Sequence, residues 1–274
     1  MFEVVSSWLP MIAALLGAGA AGGLLAGLLG VGGGIIIVPV LDFALTVAGV
    51  DPAVAMHLAV GTSMATIVPT SMSSSRSHAK RGAIDPAVVR QWSLPIVLGA
   101  LAGSLVASSV DARVLSGVFG VVALFAALKM LLPLDHVVLR QGLPGGLAGA
   151  SLPASIGAIS AMMGIGGGTL TVPAMTLCGE VVHKAVGTAA LLGLWISVPA
   201  TIGYLLADTT GEAMPPWVVG HVSLAGFAII APVAWLVAPL GARLAHRLDR
   251  RKLSAAFGVF LFVVASRMLY RTLA

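Results

Sequence analysis

Apolar runs of about twenty residues recur along this chain from one end to the other, and few charges interrupt them. Twenty residues of helix span roughly 30 Å, the thickness of the hydrocarbon core of a bilayer. Inside hydrocarbon every backbone N–H and C=O must be satisfied within the segment, so such runs fold as helices and not as open strands. Composition points the same way: 58% of the 274 residues are hydrophobic and 9% are charged. A soluble domain needs more polar surface. The expected class is an all-α polytopic integral membrane protein. The first run lacks a basic leader and carries Glu3, so it is expected to be a permanent span and not a cleaved signal.

The net charge of +5 is compatible with nucleic-acid binding, but the basic residues lie between apolar runs, where cytoplasmic loops of membrane proteins carry them. No nucleic-acid partner is expected. The single cysteine, Cys178, excludes an internal disulfide and a cysteine-based metal site. No metal or cofactor is expected.

The chain is written twice. G-V-G-G-G-I-I-I-V-P at residues 30–39 returns as G-I-G-G-G-T-L-T-V-P at 164–173, an offset of 134. H-L-A-V-G-T-S from His57 returns as H-K-A-V-G-T-A from His183, offset 126, and V-D-A-R-V-L-S-G-V-F-G from Val110 as L-D-R-R-K-L-S-A-A-F-G from Leu248, offset 138. The order is kept, so the expected organisation is a first membrane repeat over 1–134, a cytoplasmic linker over 135–142 and a second repeat over 143–274. Each half holds five apolar segments: roughly 8–29, 34–50, 53–75, 87–110 and 114–133, then 143–163, 168–179, 182–207, 217–240 and 253–272. The pieces after each glycine word are short enough to be half-helices or re-entrant hairpins, which gives eight to ten segments in total.

Equivalent loops carry opposite charge. The loop after the third segment of the first half holds Arg76, Lys80, Arg81 and Arg90, and its counterpart holds Asp208 and Glu212. The loop after the fourth segment of the second half holds Arg243, Arg247, Arg250, Arg251 and Lys252, and its counterpart only Asp111 and Arg113. That is the pattern of inverted-topology repeats, with basic loops in the cytoplasm and both termini outside. Trp8, Trp92 and Trp217 fall near segment ends and are expected to anchor at the interface.

Scattered glycines such as Gly17, Gly19, Gly23, Gly99, Gly103 and Gly149 suit close helix packing. The dense words do not. Gly30, Gly32, Gly33, Gly34 and Gly164, Gly166, Gly167, Gly168 each put four glycines within five residues, followed by Pro39 or Pro173. Each glycine weakens a helix by about 1 kcal/mol relative to alanine. Paired Gly/Pro interruptions in the two halves of a transporter mark helix breaks, whose free N–H groups and positive dipole ends suit an anion. A phosphate-cradling loop needs a terminal G-K-[ST] that is missing here, and a dinucleotide fingerprint needs a strand context that a membrane span does not supply.

The doubled G-x-G-G-G-x-x-x-V-P, the A-V-G-T-[SA] that follows each copy, and H-A-K-R-G-A-I-D at 78–85 resemble the sulfite exporter TauE/SafE family over nearly the whole chain. The resemblance implies a multi-span transporter of small sulfur-containing or organic anions, commonly an exporter, in the bacterial inner membrane. The residues expected to hold substrate are the eight word glycines, with Gly61, Thr62, Ser63, Gly187 and Thr188 and the second-copy Thr169; Thr171 adds a further hydroxyl. Arg76, His78 and Arg81 are candidates for collecting anions at the cytoplasmic mouth. Asp42, the one carboxylate expected within a segment, is the candidate for coupling to a proton or cation, as an importer of thiosulfate or a similar anion would require. His57 and His183 lack the neighbours of a metal site and suit local hydrogen bonds. An enzyme is disfavoured, since neither an intramembrane acid pair nor a nucleophile–base pair is legible. Expected partners are a small anionic substrate and the lipid bilayer; a homo-oligomer is allowed.

Overall fold

The computed structural model describes residues 2–30, 32–131, 138–244 and 250–273. The predicted linker residues 135–137 and Arg247 lie outside the described residues, as do the side chains of Trp8, Arg250, Arg251 and Lys252. Ten helices are described: α1 (Phe2–Leu29), α2 (Gly34–Val47), α3 (Pro52–Ala79), α4 (Pro86–Ser109), α5 (Ala112–Leu131), α6 (Gly146–Met163), α7 (Gly168–Leu177), α8 (Val182–Leu205), α9 (Leu224–Leu244) and α10 (Arg250–Leu273). A short hairpin, β1 (Val218–Val219) and β2 (Val222–Ser223), precedes α9. Among the described residues, seven helices, α1, α3, α4, α5, α6, α8 and α9, are long and apolar enough to cross a membrane. The protein is all-α and multi-pass.

Local chemistry sets the helix starts. Asp51 accepts from the Ala53 N–H at 2.9 Å and Asp85 from the Ala87 N–H at 2.8 Å, each followed by a proline in the first turn. A proline there gives up an N–H that had no helical partner anyway.

Three sequence expectations change. The segment expected from 217 begins as a helix only at Leu224, because Trp217 adopts a left-handed φ of 63° and the next residues pair as β1 and β2. The polar run Ser71–Ser75 does not end the third segment. α3 continues through Arg76 and His78 to Ala79, since Ser73 donates to the Trp235 carbonyl and Ser74 to the Ala26 carbonyl, which satisfies these hydroxyls between helices. Trp92 is fully buried within the bundle and does not anchor at an interface, whereas Trp217 is 76% exposed.

α3 and α8 form the centre, buried along most of their length. They run antiparallel, with Gly61 of α3 against Tyr204 near the end of α8, and Gly187 near the start of α8 against Ala83 just past α3. α1 packs on α9, α4 on α6 and α5 on α10. Exchanging α1–α5 for α6–α10 maps this packing onto itself: α1 on α9 becomes α6 on α4, and α4 on α8 becomes α9 on α3. The outer seams are built from small residues that let backbones touch. Gly19, Gly23 and Gly27 of α1 lie on the backbone of Ile230, Ala234 and Ala238, and Gly99 and Gly103 of α4 on that of Ala154 and Ala158. Gly17 instead faces open space. Leu94, Leu98, Leu105 and Phe125 point outward, as lipid-facing side chains do.

Helix direction divides the ends of the bundle into two faces. Asp51, Asp111, Asp208 and Glu212 lie where α3, α5 and α9 begin or α8 ends, an acidic face that also holds Arg113. Lys80, Arg81, Lys184 and Arg243 lie at the opposite helix ends, a basic face that also holds Asp85 and Glu180.

Candidate functional site

Both glycine words are helix breaks. α1 stops at Leu29 and α2 begins at Gly34, while α6 stops at Met163 and α7 begins at Gly168. Gly30, Gly32, Gly33 and Gly164 take φ values of 68°, 79°, 82° and 66°, a region open to glycine and strained for other residues. The short α2 and α7 therefore begin inside the bundle, and each ends at a different face.

The two breaks meet. A Cβ on Gly32 would come within 2.9 Å of the Gly166 Cα, and a Cβ on Gly34 would collide with the Gly164 carbonyl. Ser63 closes the contact by donating to that same carbonyl at 2.7 Å. Gly32 also touches Ile67, near the middle of α3, and Gly167 touches Ile196, near the middle of α8. The junction thus sits at mid-depth. Gly30 packs on the Val186 carbonyl and Gly33 on that of Gly22, which fixes each flank of the first break against backbone.

The first N–H groups of a helix have no intrahelical acceptor. In α2 the ladder starts with Ile36 and Ile37 donating to the Gly33 carbonyl, and in α7 with Leu170 and Thr171 donating to that of Gly167. The amides preceding them, and the positive ends of both dipoles, converge on the junction from opposite sides. Gly168, buried, is the first residue of α7. Thr171 is fully buried in the first turn of α7, and among the described residues neither its hydroxyl nor the buried Thr169 hydroxyl finds a partner.

The remaining predicted hydroxyls are engaged elsewhere. Thr62 accepts from the Ser223 N–H and Thr188 from the Asp85 N–H, both at 2.8 Å, so they hold the starts of α9 and α4. Gly61 and Gly187 supply the close approach this needs, against the carbonyls of His221 and Ala83. Asp42 is buried in α2, its ninth residue, about 12 Å along the axis from the break. At the basic face Arg76 is exposed and Arg81 donates to the Ala242 carbonyl, but His78 is buried with Nε2 3.1 Å from the Gly27 carbonyl. His78 is therefore removed from the mouth: its ring ties the end of α3 to the last turns of α1. His57 lies beside two carbonyls at the acidic face, and His183 is exposed.

Sequence reasoning did not single out Tyr204. Its hydroxyl donates to the Ala161 carbonyl at 3.1 Å, in the last turn of α6 before the second break. His78 and Tyr204 stand at the same 126-residue offset as the two A-V-G-T motifs, and Gly27 and Ala161 at the 134-residue offset of the glycine words. The two bonds are therefore repeat equivalents, and that register was the available signal. Two cavities also correspond. One of about 560 Å³ lies at the end of α2 between Ala48–Pro52 and Ala213–Pro215; one of about 270 Å³ lies at the end of α7 between Cys178–Glu180, Asp85 and Gln141.

The family model described as sulfite exporter TauE/SafE matches residues 15–268. A probable membrane transporter protein of Haemophilus influenzae is 32% identical, over 91% of this chain and 95% of that one. Probable membrane transporter proteins of Methanocaldococcus jannaschii and Bacillus subtilis are 27% and 24% identical, each over 90% of this chain and over 91% and 95% of their own length. No solved structure matches the chain.

Proposed function

Because the chain belongs to the sulfite exporter TauE/SafE family and is a membrane transporter, we propose that it is a secondary transporter exporting a small anion, sulfite or an organosulfonate, by alternating access around the two glycine breaks. The observation that carries the reading is the meeting of Gly32 with Gly166 at mid-depth, where the starts of α2 and α7 converge. An anion cannot enter hydrocarbon uncompensated. One helix terminus contributes up to about 2 kcal/mol in a partly buried setting. Two opposed termini, with the hydroxyls of Thr169 and Thr171, hold an anion firmly enough to dehydrate it and loosely enough to release it. The word glycines form the site, Ser63 latches it shut, and Thr62, Thr188, Gly61 and Gly187 frame it.

With Gly32 against Gly166 the path is closed. Transport requires the breaks to part, opening toward the cavity at the end of α2 and then toward that at the end of α7. The packing exchange between α1–α5 and α6–α10 supports an inverted pair of repeats, with the basic face cytoplasmic, Arg76 and Arg81 at that mouth, and both termini outside the inner membrane. An inside-negative potential then favours export by about 2.3 kcal/mol per charge per 100 mV, roughly 4.6 kcal/mol for a dianion.

Asp42 supports a second reading, a proton- or cation-coupled importer of thiosulfate or a similar anion, since a buried intramembrane acid in the half-helix that begins at the site is placed to couple. Reconstituted vesicles loaded in turn with sulfite, thiosulfate and sulfoacetate separate the two. Voltage-driven efflux without added cation or pH gradient supports export; flux that appears only with such a gradient supports the importer, and no flux of any anion overturns both.

A further inference from the structure

The two halves differ most between their third and fourth helices. The repeat offset is 126 at His78 and Tyr204 but 138 at Gly82 and Gly220, so the second half carries twelve additional residues there. These fall in the loop between α8 and β1. After the loop the halves match again: Gly82 and Gly220 both take left-handed φ, of 64° and 54°; Ala83 and His221 both lay their carbonyl on a glycine of the A-V-G-T motif; Asp85 and Ser223 both donate to its threonine. Alanine does in one half the backbone work that His221 does in the other. The imidazole is an addition, and so is the loop that faces it.

The addition is a connected cluster. His221, 0% exposed, has its Nε2 3.1 Å from the Glu212 carboxylate of the inserted loop, while among the described residues its Nδ1 has no partner. Its ring centroid lies 4.9 Å from that of His57 on α3. His57 Nδ1 lies 3.0 Å from the Ala53 carbonyl and Nε2 2.9 Å from the Val110 carbonyl. Carbonyls only accept, so a neutral His57 ring makes one of these bonds and an imidazolium makes both. The loop continues from Glu212 into Ala213, Met214 and Pro215, one wall of the larger cavity at the end of α2, and ends at the strained Trp217.

We propose that His221 and Glu212, with His57 behind them, form an acid-sensitive latch that holds the inserted loop over the cavity at the end of α2 and releases it when His221 takes a second proton. In the closed arrangement His221 is neutral and donates Nε2–H to Glu212. A proton added at Nδ1 meets a buried site without an acceptor, beside another imidazole. Burial first, then the neighbouring His57, hold His221 below the usual imidazole range, against the opposing pull of Glu212. A histidine held low stabilises the closed form above its ordinary value of about 6.5, and that stability is lost as pH falls below it. The other titratable or charged groups on the packed elements are Asp51 on the α3 cap, Tyr204 on α8, Asp111 and Arg113 at the start of α5, and Asp208 on the loop. Asp208 is already bonded by Thr210, and Tyr204 offers its carbonyl to the His221 N–H while its hydroxyl points to Ala161.

The test places a spin label at exposed Ala213 (Ala213→Cys with Cys178→Ser) in reconstituted vesicles and follows its mobility from pH 8 to pH 5. The expected result is an immobile label at pH 8 that is freed on acidification, with a midpoint below about 6.5. In His221→Ala, which adopts the residue of the other half, the label should be mobile throughout. A label equally immobile at both ends of the range, or a transition that persists in His221→Ala, overturns the latch. The parent titration alone decides if the variant does not fold.

Discussion

Thr62 and Thr188 make the same bond from opposite halves of the chain: each hydroxyl oxygen accepts, at 2.8 Å, the backbone N–H of the residue that precedes a repeat's fourth helix, Ser223 before α9 and Asp85 before α4. The word A-V-G-T is thereby explained as a joint. Its glycine lets a connecting strand of backbone cross at contact distance, and its threonine satisfies the amide brought in. An amide left unpaired in a buried site costs about 1–3 kcal/mol. Thr62→Val and Thr188→Val should each lower the thermal midpoint in detergent, Thr62→Val more, since the Ser223 bond is buried and the Asp85 bond only partly so. Thr→Ser at either position should restore most of the loss. Unchanged melting in Thr62→Val would remove the joint.

The glycines of the two breaks should respond unequally to a single methyl group. Gly34→Ala drives a Cβ into the Gly164 carbonyl and within 2.8 Å of the Ser63 Oγ, so backbone must move where the halves meet. Overpacking of that kind costs about 1–3 kcal/mol. Gly167 has an ordinary φ of −51°, and its Cβ meets the flexible end of Ile196 and the Thr171 hydroxyl 3.1 Å away. Gly167→Ala should insert and melt like the parent yet carry little anion flux, because the methyl fills the side of the junction lined by Thr171. Parent-level efflux from Gly167→Ala would detach the junction from transport.

His78 and Tyr204 hold the last turns of the helices that lead into the breaks, through the carbonyls of Gly27 and Ala161. Tyr204→Phe keeps the packing and removes one bond to a buried carbonyl, a loss of about 1 kcal/mol. The expected signature is a small drop in melting temperature with a larger drop in flux, since the end of α6 is freed beside Gly164. Equal small changes in both would mean that the bond serves stability alone.

Much of the fold was legible because bilayer chemistry leaves few choices. Runs of about twenty apolar residues had to be helices, and four glycines within five residues were poor helix formers in the middle of such runs. What sequence hid was partnership. The third segment reads as ending at residue 75, before Arg76, because nothing in the order of its last serines shows that Ala26 and Trp235 present carbonyls that let the helix run on to Ala79. Thr62 and Thr188 read as ligand hydroxyls because a threonine that follows a glycine in a repeated motif looks alike whether it faces solute or an incoming amide. Trp92 read as an interfacial anchor because position along a segment does not reveal which way a ring turns.

Asp42 separates the two transport readings. An acid within a membrane segment is costly to insert, so replacing Asp42 by the isosteric amide should not impair insertion. In an uncoupled exporter the side chain carries no proton through the cycle, and Asp42→Asn should retain voltage-driven efflux at every pH. In a proton-coupled importer the same substitution should abolish uptake driven by a pH gradient while sparing exchange of labelled anion at equilibrium, because exchange needs the site to open but does not need a net proton. Measuring both fluxes on one vesicle preparation distinguishes the cases. Loss of both with normal melting would instead assign Asp42 to the opening movement of α2, where it lies about two turns from the break.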